Sequence, residues 1–156
     1  MPAPQSKLSS QDVRTDLSTR QAPLKWVIVV DRELPAGRAV NAAACMAAAV
    51  GRALPETLGP DAKDASGGIH PGLPWAGCSV LTAPAETLRA LRDRAASRDD
   101  VLVVDMPEQA QTSRVYDEYL AQIGATPAEQ LRPLAVSLVG PRNYVAKLVG
   151  GLPLLD

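Results

Sequence analysis

The sequence predicts an α/β domain in three layers, α/β/α, built around a four-stranded, mostly parallel (mixed) sheet. Two observations carry this reading. Short Val- and Ile-rich runs bounded by charged or turn residues recur along the chain, the pattern of strands buried on both faces. Segments of helical propensity or helical periodicity alternate with them, which favours parallel strands joined by crossover helices. The 156 residues, 46% of them hydrophobic, suffice for one domain with its own core.

Residues 1–24 are rich in Ser, Gln, Pro and charge and lack the apolar run of a secretory signal. They read as a disordered leader ahead of a single domain over residues 25–156. The first strand is 25–31, a β-branched run with Lys25 and Asp31 at its ends. A turn with Pro35 and Gly37 leads into an Ala-dominated helix over 38–52, whose few polar positions predict burial on most sides. Residues 54–75, punctuated by Gly59, Gly67, Gly68, Gly72, Pro55, Pro60, Pro71 and Pro74, read as a long loop of the kind that tends to be functional or mobile. A short strand at 78–81 precedes an amphipathic helix over 84–96 with Leu88 and Leu91 facing inward. The third strand, 101–105, ends in Asp105. One helix is expected over 109–123, with Val115, Tyr119 and Ile123 on a stripe, and Thr126-Pro127-Ala128-Glu129 reads as a capping box opening another. The fourth strand is 134–139, and Gly140-Pro141 turns the chain into a last helix over 142–149.

Composition narrows the function classes. No run approaches the roughly 20 apolar residues that span a bilayer, so no membrane partner is expected. The net charge is −1; the leader holds Lys7, Arg14 and Arg20 against Asp12 and Asp16, which leaves the domain near −2. With that balance, 3% aromatic residues and no Phe, the sequence offers no support for tRNA or another nucleic acid as a partner. Cys45 and Cys78 have neither CxxC spacing nor a disulfide framework; buried free thiols and a cytoplasmic location are expected. A single histidine with no Cys or carboxylate at ligand spacing implies no metal, and no cofactor motif is present. An Ala-rich helix and an apolar C-terminal tail leave a homodimer open.

The order Lys25-Trp-Val-Ile-Val-Val, Leu34, Gly37, Ala42-Ala43 and then 45–50 resembles the opening of the type-2 peptidyl-tRNA hydrolases. The strand ending in Asp105, the stretch 135–141, Val149-Gly150 and the tail 152–155 resemble the later pieces of that family in the same order, with an insertion between Asp105 and Leu134. The chain is more similar still to an uncharacterised bacterial branch of that superfamily, in which the turn reads Leu-Pro-x-Gly followed by Asn and alanines, as Leu34, Pro35, Gly37 and Asn41 do here. The resemblance implies the hydrolase fold, and an activity that cleaves the ester joining a peptide to tRNA. The family's Gly-Lys-Gly-Lys turn is Gly37-Arg38-Ala39-Val40 in this chain, a Gln and a His become Ala44 and Ala47, and a Thr becomes Ala135. Losing those donors and cations removes several kcal/mol of the transition-state stabilisation such chemistry uses.

The expected site follows from the residues that remain. Asp105 stands at the carboxyl end of a strand, where open α/β sheets place their ligands, and it is one of two candidate catalytic groups. His70, with a pKa range suited to proton transfer, is the other; a solvated loop histidine is its plainer reading. Arg38 and Asn41 lie in the first turn of the Ala-rich helix, where an anion is welcome. Lys25, Gly37 and Gly140 complete the ligand-binding set, the glycines being most simply turn residues. The reading is a protein that binds a small anionic ligand near Asp105 and Arg38. The alternative is a hydrolase or transferase acting on an aminoacyl or peptidyl ester or amide.

Overall fold

The computed structural model describes residues 10–156 of the chain; residues 1–9, the start of the expected leader, lie outside the described residues. The elements in order are β1 (Leu24–Asp31), α1 (Ala36–Ala53), β2 (Ala62–Lys63), β3 (Ile69–His70), β4 (Ser79–Ala83), α2 (Ala85–Ala96), β5 (Leu102–Pro107), α3 (Glu108–Thr112), α4 (Tyr116–Gly124), β6 (Pro133–Pro141) and α5 (Arg142–Leu148).

Four strands form the main sheet in the order β4-β1-β6-β5. β1 pairs parallel with β4 and antiparallel with β6, and β5 pairs antiparallel with the other side of β6. The expectation of a mostly parallel sheet is therefore corrected: the sheet is mixed, with one parallel pair. β4, β1 and β5 do run the same way, but β6 enters between β1 and β5 in the opposite sense. The cause is the β5–β6 connection. Neither α3 nor α4 has a buried residue, so this segment does not pack across the sheet as a crossover must. The chain re-enters from the edge at which β5 left it.

Both faces of the sheet are covered, as the unbroken apolar runs require. Val27, Val29, Val136 and Leu138 face α2 and α5 and pack with Leu88, Leu91, Val145 and Leu148. The alternate residues face α1: Trp26 and Val139 meet Val50, and Ile28, Val30 and Ala135 meet Ala39, Ala42 and Met46. The buried Trp26 indole N–H donates to Ser137 Oγ at 2.9 Å across the β1–β6 pair, satisfying a hydroxyl in the interior.

α1 begins after Pro35 and stops at Leu54, where the following Pro55 disfavours further helix. It is buried along one stripe only, Ala39, Ala42, Met46 and Val50, and Val40 is 65% exposed. The expectation that it is covered on most sides is thus overturned; alanine on its outer face reflects helical propensity, not contact. Both cysteines are exposed, contrary to the expected buried thiols. The helix expected over 109–123 is two, α3 and α4, broken by extended residues at Ser113 and Val115. The capping box does not form: Thr126 Oγ1 donates back to Gln122 O at 2.7 Å, and only a 3-10 turn, Ala128–Gln130, follows.

The stretch between α1 and β4 is tied to itself. Leu58 bridges Pro74, Trp75 Nε1 donates to Glu56 O at 2.8 Å, and β2 pairs with β3 as a two-stranded hairpin. Residues ahead of β1 are also held: the Arg142 guanidinium donates to the carbonyls of Thr19, Ala22 and Leu24, and Ala22 is buried.

Candidate functional site

Asp105 lies two residues before the carboxyl end of β5, which runs on to Pro107 instead of ending in Asp105 as expected, and it stands opposite Val136 in the register with β6. Its Oδ2 accepts a 2.6 Å hydrogen bond from Arg92 Nε of α2. That bond is the main reason the Arg92 guanidinium is held above its ordinary pKa, and Asp93 at 3.4 Å adds to it. The carboxylate is 30% exposed, so one side of it is answered by Arg92 and another faces solvent. It does not cap the turn that follows.

Asp105 borders two cavities. The smaller, about 250 Å³, lies on the α2 side between Arg89, Arg92 and the turn at Ala128 and Glu129. Arg89 closes it by donating to the carbonyls of Ala128, Glu129 and Leu131. The larger, about 550 Å³, opens between α1 and the β5–α3–α4 segment. Its apolar lining includes Met46, Ala49, Val104, Met106 and Val115; its polar groups are Asn41, Cys45, Asp105, Ser113, Arg114 and the two tyrosines, Tyr116 and Tyr119.

Three further groups besides Asp105 shape the larger cavity's chemistry. Tyr119 is pushed above its ordinary pKa, first by burial and then by Tyr116 and Asp105, so it remains a phenol able to donate. Arg114 is exposed and has no ion-pair partner among the described residues. Ser113 Oγ is buried in the wall with no hydrogen-bond partner among the described residues. A buried hydroxyl left unpaired costs roughly 1–3 kcal/mol.

One end of this cavity is built by α3. Gln111 Oε1 accepts from Arg38 Nε at 2.9 Å, while its Nε2 donates to Arg38 O at 2.8 Å and to Asn41 Oδ1 at 3.3 Å. Arg38 and Asn41 therefore fasten α3 to the first turns of α1. Asn41 also borders the cavity, and Arg38 does not.

The structure brings together only part of the expected site. Asp105 and Asn41 share the larger cavity, with Gly37 and Arg38 in the adjoining first turn of α1. His70 stands in the exposed β2–β3 hairpin, its Nε2 3.2 Å from Asp64 Oδ2, and lines neither cavity beside Asp105. Lys25 and Gly140 face each other across β1 and β6 at the opposite end of the sheet. Gly140 is a packing position, since a Cβ there would meet Val101 Cγ2 at 3.0 Å and Asp100 O at 3.2 Å.

Sequence reasoning missed Arg92, Ser113, Arg114 and Tyr119. Arg92 sits on an amphipathic helix whose charged positions normally face water. The others lie where a continuous helical period hid the break between α3 and α4, and the Ser113-Arg114 dipeptide after Thr112 was the available signal.

Comparison with known proteins gives a family and a fold. Superposition relates the chain to a solved structure of a protein of unknown function from Agrobacterium tumefaciens, with a TM-score of 0.78 and 17% identity over 86% of this chain and 98% of that one. No curated protein sequence matches. Residues 24–156 match the family described as "Protein of unknown function (DUF2000)".

Proposed function

The chain belongs to the DUF2000 family, and within it we propose that this protein binds a small ligand carrying one anionic group and an apolar body in the 550 Å³ cavity beside Asp105. The observation that carries this reading is Arg114, a cation with no ion-pair partner among the described residues, in a cavity wall beside the apolar side chains of Met46, Val104 and Met106. Arg114 takes the anionic group, and Met46, Val104 and Met106 receive the apolar body. Asp105 does not repel such a ligand as a free carboxylate would, because Arg92 offsets its charge. Arg38 contributes by holding α3 in place.

Kinship with the type-2 peptidyl-tRNA hydrolases is part of the same reading. It is supported by the order of the matching pieces from Lys25 to Leu155, while Val40, Ala44, Ala47 and Ala135 argue against inherited peptidyl-tRNA cleavage.

The test is a binding titration with benzoate, phenylacetate and N-acetylphenylalanine, followed by ¹H–¹⁵N shifts and by Tm. Saturable shifts in residues 41–49 and 104–119 that vanish in Arg114→Ala are the expected result. No saturable binding by any of the three, or equal binding by Arg114→Ala, overturns the reading. Turnover of peptidyl-tRNA or an aminoacyl ester that Asp105→Asn abolishes replaces it with an enzyme.

A further inference from the structure

We propose a second ligand site, for a phosphate dianion or phosphate monoester, at the amino end of β1, in the cavity shared by Arg20, Lys25 and Arg142. This cavity of about 420 Å³ lies at the end of the sheet opposite Asp105, and it stands independently of the site proposed above. Among the described residues its lining holds three cations and no carboxylate, in a chain with 17 acidic residues against 16 basic ones. Like charges gathered around a concave surface focus a positive potential, and they repel one another unless an anion enters.

The three cations divide the work. Arg142 is fixed: its guanidinium donates to the carbonyls of Thr19, Ala22 and Leu24 and so builds the wall that carries Arg20. Carbonyl partners orient the guanidinium without neutralising it. Arg20 and Lys25 have no ion-pair partner among the described residues. Asp100, an acid that the fold brings to this end of the sheet, is bonded to Arg98 at 2.7 and 2.5 Å and is thereby occupied.

The lining also sets the class of anion. Two free cations beside a fixed third match a dianion better than a monocarboxylate, and the hydroxyls of Thr19 and Ser79 supply donors for the remaining oxygens. Trp26 borders the cavity but is 5% exposed, so no aromatic face is offered to a nucleobase. The ligand is a phosphoryl group with at most a small polar body.

Titration of the whole chain with inorganic phosphate, glycerol 3-phosphate and acetate, read by tryptophan fluorescence and by ¹H–¹⁵N shifts of residues 19–25 and 76–79, tests this. Both phosphates are expected to bind saturably at low ionic strength, the tighter one identifying free phosphate or an ester as the source. Lys25→Gln and Arg20→Gln should each weaken binding about tenfold or more, the loss of one charge-assisted contact. Arg114→Ala, which removes the cation of the other cavity, should leave phosphate binding intact. No saturable response to either phosphate, an equal response to acetate, or unchanged affinity in both charge variants overturns the proposal.

Discussion

Arg92 Nε and Asp105 Oδ2 lie 2.6 Å apart, so the carboxylate near the end of β5 is answered from α2 across the edge of the sheet. The pair separates the two cavities that Asp105 borders and sets how much negative charge the larger one sees. With both side chains about a third exposed, solvent screens the interaction. A double-mutant cycle of Arg92→Ala and Asp105→Asn should give a coupling of about 0.5–1.5 kcal/mol in denaturant unfolding. Coupling near zero would show that the bond does not persist in solution. Arg92→Ala should also weaken binding of the carboxylate probes, because the unanswered Asp105 then opposes them.

Burial decides a second contrast between ion pairs. Asp31, 2% exposed, accepts from Glu33 N at 2.9 Å and from Arg132 at 3.2 Å. Arg132→Ala leaves that buried carboxylate with the backbone N–H alone and should cost about 1–2 kcal/mol, less than the roughly 3–5 kcal/mol of breaking a fully buried pair because Arg132 itself is half exposed. Arg14 and Asp16 make a shorter contact, 2.8 Å, but both are exposed and free to exchange it for water. Arg14→Ala should leave the unfolding midpoint where it was; equal losses in the two variants would show that burial is not what sets their strength.

The β2–β3 hairpin should respond to acid through Asp64. Hydrogen bonds from Gly68 N–H, His70 and Ser66 N–H, in that order, hold its carboxyl below the ordinary carboxylate range. A group whose pKa is lower in the folded hairpin stabilises it above the unfolded value, and that support is lost as pH falls through the lowered one. The amide shifts of Ser66 and Gly68 report that loss, which should fall below about pH 4, the ordinary Asp value. Below that they should move together as Asp64 takes up its proton. Asp64→Asn should remove the titration, and a midpoint at or above the ordinary value in the native chain would contradict the assignment.

Much of this fold was legible because its strands are written in β-branched runs with charged ends. β1 and β6 emerge within two residues of their predicted limits, since nothing but a buried strand suits a stretch such as Val27-Ile28-Val29-Val30. The direction of β6 was not legible. It depends on whether the segment between Asp105 and Leu134 packs over the sheet, and α4 presents Tyr116 and Leu120 at a helical spacing that reads the same in either case. The site divides along the same line. Asp105 and Asn41 could be found because each is polar where apolar residues are expected. Arg114 could not, because an arginine beside a helix start is normally a solvated charge until a cavity is seen next to it.

Gly37 and Gly140, the two glycines of the expected ligand-binding set, should part company when replaced by alanine. A Cβ at Gly37 would have no atom of the described residues within 4 Å, and the residue lies in the first turn of α1 without a positive φ. Gly37→Ala should therefore stabilise the chain by about 0.4–1 kcal/mol, by restricting the unfolded backbone and favouring helix. At Gly140 the added carbon would press on Val101 Cγ2 at 3.0 Å and on the Asp100 carbonyl at 3.2 Å. Val101 is 1% exposed and the carbonyl belongs to the backbone, so neither can step aside cheaply. Gly140→Ala should cost about 1–3 kcal/mol, the usual penalty for overpacking. Chemical denaturation of the two variants reads both signs. A neutral Gly140→Ala variant that fails to bind phosphate would return Gly140 to a ligand role, whereas lost stability with retained binding assigns it to the close approach of β6 and residues 100–101.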